Sequence, residues 1–197
     1  MKRHPSPMLL LFAALVALGA GCGAQPATPL QPSAAEPAAP GQPDEMVFTV
    51  DPCALITADD AKQILGGTVS PAFTDQSVDF GSRHCRYTTT RESELSRIIE
   101  FTVHESDNLK KSLYELPANE YFARLKTAHF ASNPEETGQL SGIGDDAYWD
   151  GSMIRVLRGN YLLNLSARGF GSGGEDTDQK NREATLKAIK LVLERLK

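Results

Sequence analysis

The first 22 residues determine which part of this 197-residue chain can form a folded domain. They begin with Lys2 and Arg3, continue as an apolar run from Met8 to Ala20, and end at Cys22. The apolar run is shorter than the roughly 20 residues that a membrane-spanning helix needs, so it is typical of a cleaved export signal. We therefore expect residues 1–21 to be removed and the folded part to lie outside the cytoplasm.

The residues before Cys22 predict a lipid anchor. The segment Leu18-Gly19-Ala20-Gly21-Cys22 resembles the lipobox at which lipoprotein signal peptidase cuts, leaving the cysteine as an acylated N-terminus. Lipoboxes usually have an aliphatic residue three places before the cysteine, and this chain has Gly19 there. The alternative is an ordinary secreted protein in which Cys22 is a spare thiol. Acyl chains such as palmitate contribute about 0.8 kcal/mol per buried CH₂, so two or three would hold the protein at the cell membrane or outer membrane.

Residues 22–45 combine this cysteine with a tether rich in alanine and proline, including six prolines between positions 26 and 43. Such a composition buries too little apolar surface to fold. An extended polyproline II tether rises about 3.1 Å per residue, so this one could reach roughly 70 Å from the lipid surface. We expect one globular domain, residues 46–197, at its end.

The charge of the mature chain excludes one class of partner. Removal of Lys2 and Arg3 leaves 18 basic residues against 25 acidic ones, a net charge of −7. An acidic surface repels phosphate backbones and anionic lipid headgroups. We therefore expect no nucleic-acid partner, and contact with the membrane only through the N-terminal anchor.

Two cysteines remain in the folded part, Cys53 and Cys85. In an oxidising compartment each has only the other as an intramolecular partner, which predicts a disulfide worth about 3 to 4 kcal/mol. The alternative is a pair of buried free thiols. No Cys-x-x-Cys spacing is present, so redox chemistry and structural zinc lack sequence support.

The pattern of residues 46–197 predicts an α+β domain, an antiparallel sheet with helices packed on one face. Thr57 is a natural N-cap of a short helix that Gly66-Gly67 ends. The predicted segments are strands at 83–89 and 99–104, a helix at 119–131, a three-stranded meander from 145 to 167 and a terminal helix at about 176–196. Asp150-Gly151 and Gly159-Asn160 suit the tight turns of the meander.

Three short motifs carry a family resemblance: Asp51-Pro52-Cys53-Ala54-Leu55-Ile56-Thr57, Cys85-Arg86-Tyr87 and Gly142-Ile143-Gly144-Asp145-Asp146-Ala147-Tyr148-Trp149. With them, the chain resembles uncharacterised bacterial lipoproteins similar to the actinobacterial domain of unknown function 3558. The resemblance implies structural paired cysteines and the same fold class. It implies no enzyme activity.

The sequence offers no convincing catalytic, cofactor or metal site. Gly169–Gly174 matches the dinucleotide pattern G-x-G-x-x-G, but no second parallel strand can follow, and Glu175 and Asp176 stand where a pyrophosphate would bind. Asp145 and Asp146 are neighbours and would point to opposite faces of a strand, so a turn is the simpler role. Weak calcium binding there is an alternative.

Aromatic and arginine residues on or beside the meander define a candidate binding surface, because these types dominate binding hot spots. Its members are Tyr148, Trp149, Arg155, Arg158 and Arg168. Alternation allows Tyr148 or Trp149 to face outward but not both. The alternative is that Trp149 belongs to the core and the arginines are solvated strand positions. We expect a non-catalytic domain that binds an envelope protein, a glycan or a small ligand. The alternative is an envelope hydrolase with unidentified acidic catalytic residues.

Overall fold

The computed structural model describes residues 45–89, 96–133, 138–171 and 175–196. The predicted export signal, Cys22, the tether and part of the glycine-rich segment, residues 172–174, lie outside the described residues.

Within the described ranges, seven strands form one antiparallel sheet in the order β1-β2-β3-β7-β6-β5-β4. The strands are β1 Phe73–Ser77, β2 Ser82–Thr88, β3 Ile98–Glu105, β4 Gln139–Leu140, β5 Asp146–Trp149, β6 Ile154–Arg158 and β7 Tyr161–Arg168. The predicted meander is β5–β7, and its two hairpin turns include Gly151 and Gly159, both with positive φ. The predicted α+β class and antiparallel sheet are confirmed.

The helices of the described residues are α1 Pro52–Leu55, α2 Ala58–Leu65, α3 Ser106–Lys111, α4 Ala118–Ser132 and α5 Glu175–Arg195. Helix α2 begins and ends as its sequence predicts. The Thr57 hydroxyl accepts a hydrogen bond from the Asp60 N–H, the Asp60 carboxylate accepts one from the Thr57 N–H, and Gly66 ends the helix in the left-handed conformation.

One face of the sheet, here called the disulfide face, packs against α1, α2 and α5. Alternate residues of β3 and β7 contribute six side chains to its buried core: Ile99, Phe101, Val103, Leu163, Leu165 and Ala167. Cys53 of α1 is bonded to Cys85 of β2, with 5.3 Å between the two Cα atoms. The predicted disulfide therefore joins the first helix to the sheet.

The other face, here called the tyrosine face, is covered in part by α3 and α4. Its buried cluster is Leu109, Ala118, Phe122, Tyr148 and Leu162. The sequence predicted helices packed on one face of the sheet, and the structure also has helix α4 packed over β6 and β7 on this second face. His104 of β3 is buried here as well.

Strand β1 lies in the polar stretch 70–82, where the sequence pattern predicted no strand. It pairs with β2 in the register Phe73↔Arg86 to Ser77↔Ser82, although four of its five side chains are exposed. An edge strand whose two faces are both solvated has no alternation of apolar residues, so its backbone pairing leaves no pattern in the sequence.

Candidate functional site

Two of the five predicted surface residues, Tyr148 and Trp149, point to opposite faces of the sheet. Tyr148 is 1% exposed beneath α4, with its ring 5.6 Å from that of Phe122 between centroids. Its burial raises the pKa of the phenol to about 12. Trp149 is half-buried and packs against the core of the disulfide face. The sequence could not identify which aromatic ring a helix would cover.

The three predicted arginines each have an acidic partner. Arg155 is half-buried and donates to Asp150 (3.0 Å), whereas Arg158 is exposed and donates to Asp145 (3.1 Å). Arg168 is exposed and paired with Glu100. The five predicted residues therefore do not form one binding surface, because one is buried, one lies on the other face and the arginines are dispersed over separate ion pairs.

The neighbouring acids Asp145 and Asp146 also separate. Asp145 accepts from the Gly159 N–H (2.6 Å) and from Arg158, and these contacts lower its pKa. Burial raises the pKa of Asp146, but hydrogen bonds from Lys126 and Gln139 outweigh that effect and leave it below its ordinary value. Each carboxylate is held in its charged form by different partners, which favours a structural role.

A groove opens where the described chain enters the domain, and we call it the entry groove. It lies among the N-terminal segment, the β1–β2 turn and the segment that follows α3, and its volume is about 590 Å³. Its lining residues are Glu45, Met46, Val78, Asp79, Lys111, Ser112, Leu113 and Glu115. This volume lies in the range of small-ligand and side-chain pockets.

Two exposed apolar side chains line the entry groove, and two more are next to lining residues in the chain. Leu113 is 74% exposed and Val78 is 54% exposed on its two sides. Val47, which follows the lining residue Met46, is 66% exposed, and Phe80 at the end of the β1–β2 turn is also exposed. Apolar side chains exposed singly are normal, but a group of them around one concave site is typical of an interaction surface.

Hydrogen bonds between distant segments fix the walls of the groove. The Leu113 N–H donates to the Asp79 carbonyl (2.9 Å), which joins the α3–α4 connection to the β1–β2 turn. The buried Asn108 side chain donates to the Val47 carbonyl (2.8 Å), and Lys111 donates to the Glu45 carbonyl (3.3 Å). Helix α3 therefore holds the N-terminal segment along one side of the groove.

The next residues of the N-terminal segment are clamped by Glu105, at the end of β3. Its Oε1 accepts from the Thr49 and Val50 N–H groups (2.7 and 3.0 Å), and its Oε2 accepts from the Thr49 hydroxyl (3.0 Å). We call these three hydrogen bonds the Glu105 clamp. They attach the start of the domain to a central strand.

The rim of the groove contains a strained residue. Glu115 has φ of 53°, a left-handed conformation that costs a non-glycine residue about 1–2 kcal/mol. Its N–H donates to the Ser112 carbonyl (3.2 Å), which closes a tight turn beside Leu113. The turn thereby presents Leu113 to solvent instead of burying it.

His104 connects the sheet to the same region. Its Nδ1 donates to the Phe80 carbonyl (3.1 Å) and its Nε2 accepts from the Asn164 amide (3.2 Å). One ring nitrogen donates and the other accepts, so both hydrogen bonds are those of a neutral imidazole. Burial lowers its pKa to about 4. Phe80 in turn packs on Tyr114, with 5.9 Å between ring centroids.

Sequence reasoning missed the entry groove. Its walls come from positions near 46, 78 and 113, which no local pattern connects. The available signal was the isolated apolar residues Val78 and Phe80 within the polar stretch 70–82. Tertiary structure alone brings them beside Leu113.

The part of the chain that the structure describes holds no group of three or more His, Cys, Asp or Glu side chains arranged to bind a metal ion. In the same residues, no helix has both the length and the apolar character needed to span a membrane. Comparison with family models, with curated proteins and with solved structures gives no match for this chain.

Proposed function

We propose that this chain is a lipid-anchored, non-catalytic binding protein of the cell envelope, whose entry groove receives an apolar segment of a partner protein. The observation that carries the proposal is the concentration of exposed apolar side chains around one groove of about 590 Å³. The anchor and the envelope location rest on the residues around Cys22, and the Cys53–Cys85 disulfide is consistent with an oxidising compartment.

The charges of the groove specify the partner further. Three acids, Glu45, Asp79 and Glu115, line it together with one base, Lys111, and the Lys111 ammonium donates to a backbone carbonyl. Complementary potentials favour association and exclude partners of like charge. The partner segment is therefore an apolar side chain flanked by lysine or arginine.

Binding of short peptides tests the proposal. We would place the full chain in nanodiscs of zwitterionic lipid, which do not attract basic peptides, and titrate it into labelled peptides carrying leucine, isoleucine or phenylalanine between basic residues. Sequence-matched peptides with glutamate replacing the basic residues are the control. We expect fluorescence polarisation to show binding of the basic set only.

Substitutions in the groove make the test specific. Leu113→Asp and Val78→Asp place a buried charge against the bound apolar residue, and each is expected to weaken binding about tenfold or more. Phe73→Asp is the matched control, because Phe73 is an exposed apolar residue of β1 that does not line the groove. Equal binding of basic and acidic peptides, or parent-like binding by both groove variants, would contradict the proposal.

The anchor is tested separately. Cys22→Ser removes the site of acylation, so we expect the variant to leave the membrane fraction and to escape processing by lipoprotein signal peptidase. Cell fractionation followed by a high-salt wash measures this. A variant that stays with the membranes after the wash would show that Cys22 is not the anchor, with no bearing on the groove.

A further inference from the structure

A second groove lies between β5 and the first half of α5, and we call it the tryptophan groove. Its volume is about 540 Å³. Its lining residues are Trp149, Asp178, Gln179, Arg182, Glu183 and Leu186. Trp149 is half-buried, and it is the single tryptophan of the chain. The groove shares no lining residue with the entry groove.

One side chain that lines this groove, Arg182, carries a buried polar atom without a partner. The Nε of Arg182 is buried and has no hydrogen-bond partner among the described residues. Buried N–H groups without a partner are rare in folded proteins, and each calls for an explanation. Because this Nε is shielded from solvent, a ligand in the groove would meet Arg182 at the terminal nitrogens of its guanidinium, which is a hydrogen-bond donor without acceptor atoms.

The remaining lining residues limit the chemistry of that ligand. The exposed carboxylates of Asp178 and Glu183 accept hydrogen bonds, whereas the Gln179 amide both donates and accepts and already donates to Glu183 (3.0 Å). Two acids disfavour an anionic ligand, and the Arg182 guanidinium disfavours a cationic one. Mixed donors and acceptors beside Trp149 and Leu186 match a neutral molecule with many hydroxyls and one apolar face.

We propose that the tryptophan groove binds a neutral sugar ring of an envelope or extracellular glycan. The C–H groups of a pyranose pack against the indole of Trp149, because the face of an aromatic ring carries partial negative charge. The hydroxyls of the sugar accept from Arg182 and donate to Asp178 and Glu183. This site is independent of the proposed protein partner at the entry groove.

Intrinsic fluorescence tests the proposal directly, since Trp149 is the chain's one tryptophan. We would use the full chain in a polyoxyethylene detergent, which carries no sugar. The probes are the neutral tetrasaccharides of glucose, mannose, galactose and N-acetylglucosamine. Tetragalacturonate and the glucosamine tetramer are charged controls of the same length. We expect saturable spectral changes with at least one neutral probe at millimolar concentration and weaker or no binding of both charged controls.

Variants distinguish specific sugar binding in the groove from a nonspecific change in the fluorescence of Trp149. Gln179→Ala changes an exposed side chain, and Arg182→Ala removes the guanidinium that lines the groove, so each is expected to weaken sugar binding about tenfold. Lys187→Ala, also exposed on α5 but outside the groove, should bind like the parent, as should the entry-groove variant Leu113→Asp. Circular dichroism checks that each variant is folded.

Three outcomes would overturn the proposal. The first is no change in fluorescence with any neutral probe at millimolar concentration. The second is tighter binding of a charged control than of every neutral probe. The third is parent-like binding by a folded Gln179→Ala variant together with a folded Arg182→Ala variant. Because the peptide assay uses a different groove, its failure leaves this result unaffected.

Discussion

The two faces of the sheet are both packed by helices, but they are stabilised in different ways. On the disulfide face, Ile99, Phe101 and Val103 of β3 are almost fully buried. On the tyrosine face, the intervening Glu100, Thr102 and His104 form ion pairs and hydrogen bonds. One face therefore depends on apolar burial and a covalent bond, and the other on a smaller aromatic cluster and polar partners. We expect the two faces to respond differently to the same kind of perturbation.

The largest effect is expected from truncating a core phenylalanine on the disulfide face. Phe101→Ala should cost about 3–5 kcal/mol of unfolding free energy, because it leaves a cavity in the larger cluster. The matched variant Phe122→Ala on the tyrosine face should cost less, since helix α4 can settle toward the sheet. Urea denaturation of both variants measures the difference. An equal or larger loss for Phe122→Ala would contradict the comparison.

Removal of the disulfide tests the covalent part of the same face. We expect the Cys53→Ser, Cys85→Ser double variant to lose about 2–5 kcal/mol and to melt well below the parent. The segment between the cysteines should keep much of its order, because β1 remains paired with β2. Hydrogen exchange of the β1 amides reports this. Loss of protection throughout β1 and β2 in the folded variant would show that the disulfide, rather than the strand ladder, holds this edge.

Acid should destabilise the tyrosine face first. An unfolded histidine binds a proton near its ordinary pKa of 6.5, whereas burial lowers the pKa of His104 to about 4 in the folded protein. The unfolded state therefore gains protons first as the pH falls, and stability decreases between about pH 6.5 and 4 by up to roughly 3 kcal/mol. Stability is fully present above this range.

Chemical denaturation at several pH values measures that loss, with His104→Gln as the variant that removes most of it. His84→Gln is the control, because burial also lowers the pKa of His84 but its ring is less buried. The control should keep most of the pH dependence. If the unfolding free energy of the parent does not change from pH 6.5 to 4.5, His104 has the same pKa in the folded and unfolded states.

The smallest effect is expected at the rim of the entry groove. Glu115→Gly relieves the left-handed strain but makes the unfolded chain more flexible, so the net gain in stability should stay below about 1 kcal/mol. Glu115→Ala keeps the strain and should show no gain. Thermal melts of the two variants distinguish them. A clear loss of stability for Glu115→Gly would mean that the Glu115 side chain contributes more than its backbone costs.

The contrast between the faces also explains how much of the fold could be predicted. The meander could be predicted because apolar residues alternate in β7 and because Asp150-Gly151 and Gly159-Asn160 permit tight turns. Strand β1 could not be predicted, because both of its faces are solvated and its sequence therefore has no alternation of apolar residues. Alternation predicted correctly that Tyr148 and Trp149 point apart, but only the packing of α4 determines that Tyr148 is the buried one.

The candidate sites depended even more on tertiary structure. Trp149 was one of the candidate binding residues in the sequence, yet the other residues of the tryptophan groove come from α5, about thirty residues later in the chain. The entry groove combines three segments that share no local pattern. Both grooves arise where elements remote in sequence meet, which single-sequence periodicity does not describe.

The Glu105 clamp would bear force if the domain hangs on the predicted tether. If residues 22–45 form the predicted tether, a pull on it acts first on the hydrogen bonds that Lys111 and Asn108 donate to the Glu45 and Val47 carbonyls. It then acts on the three hydrogen bonds of the Glu105 clamp. If those bonds break, the chain can peel only as far as Cys53, where the disulfide transfers the load to β2 in the middle of a strand ladder. Tension would therefore displace the N-terminal wall of the entry groove before it acted on the strand ladder of the sheet.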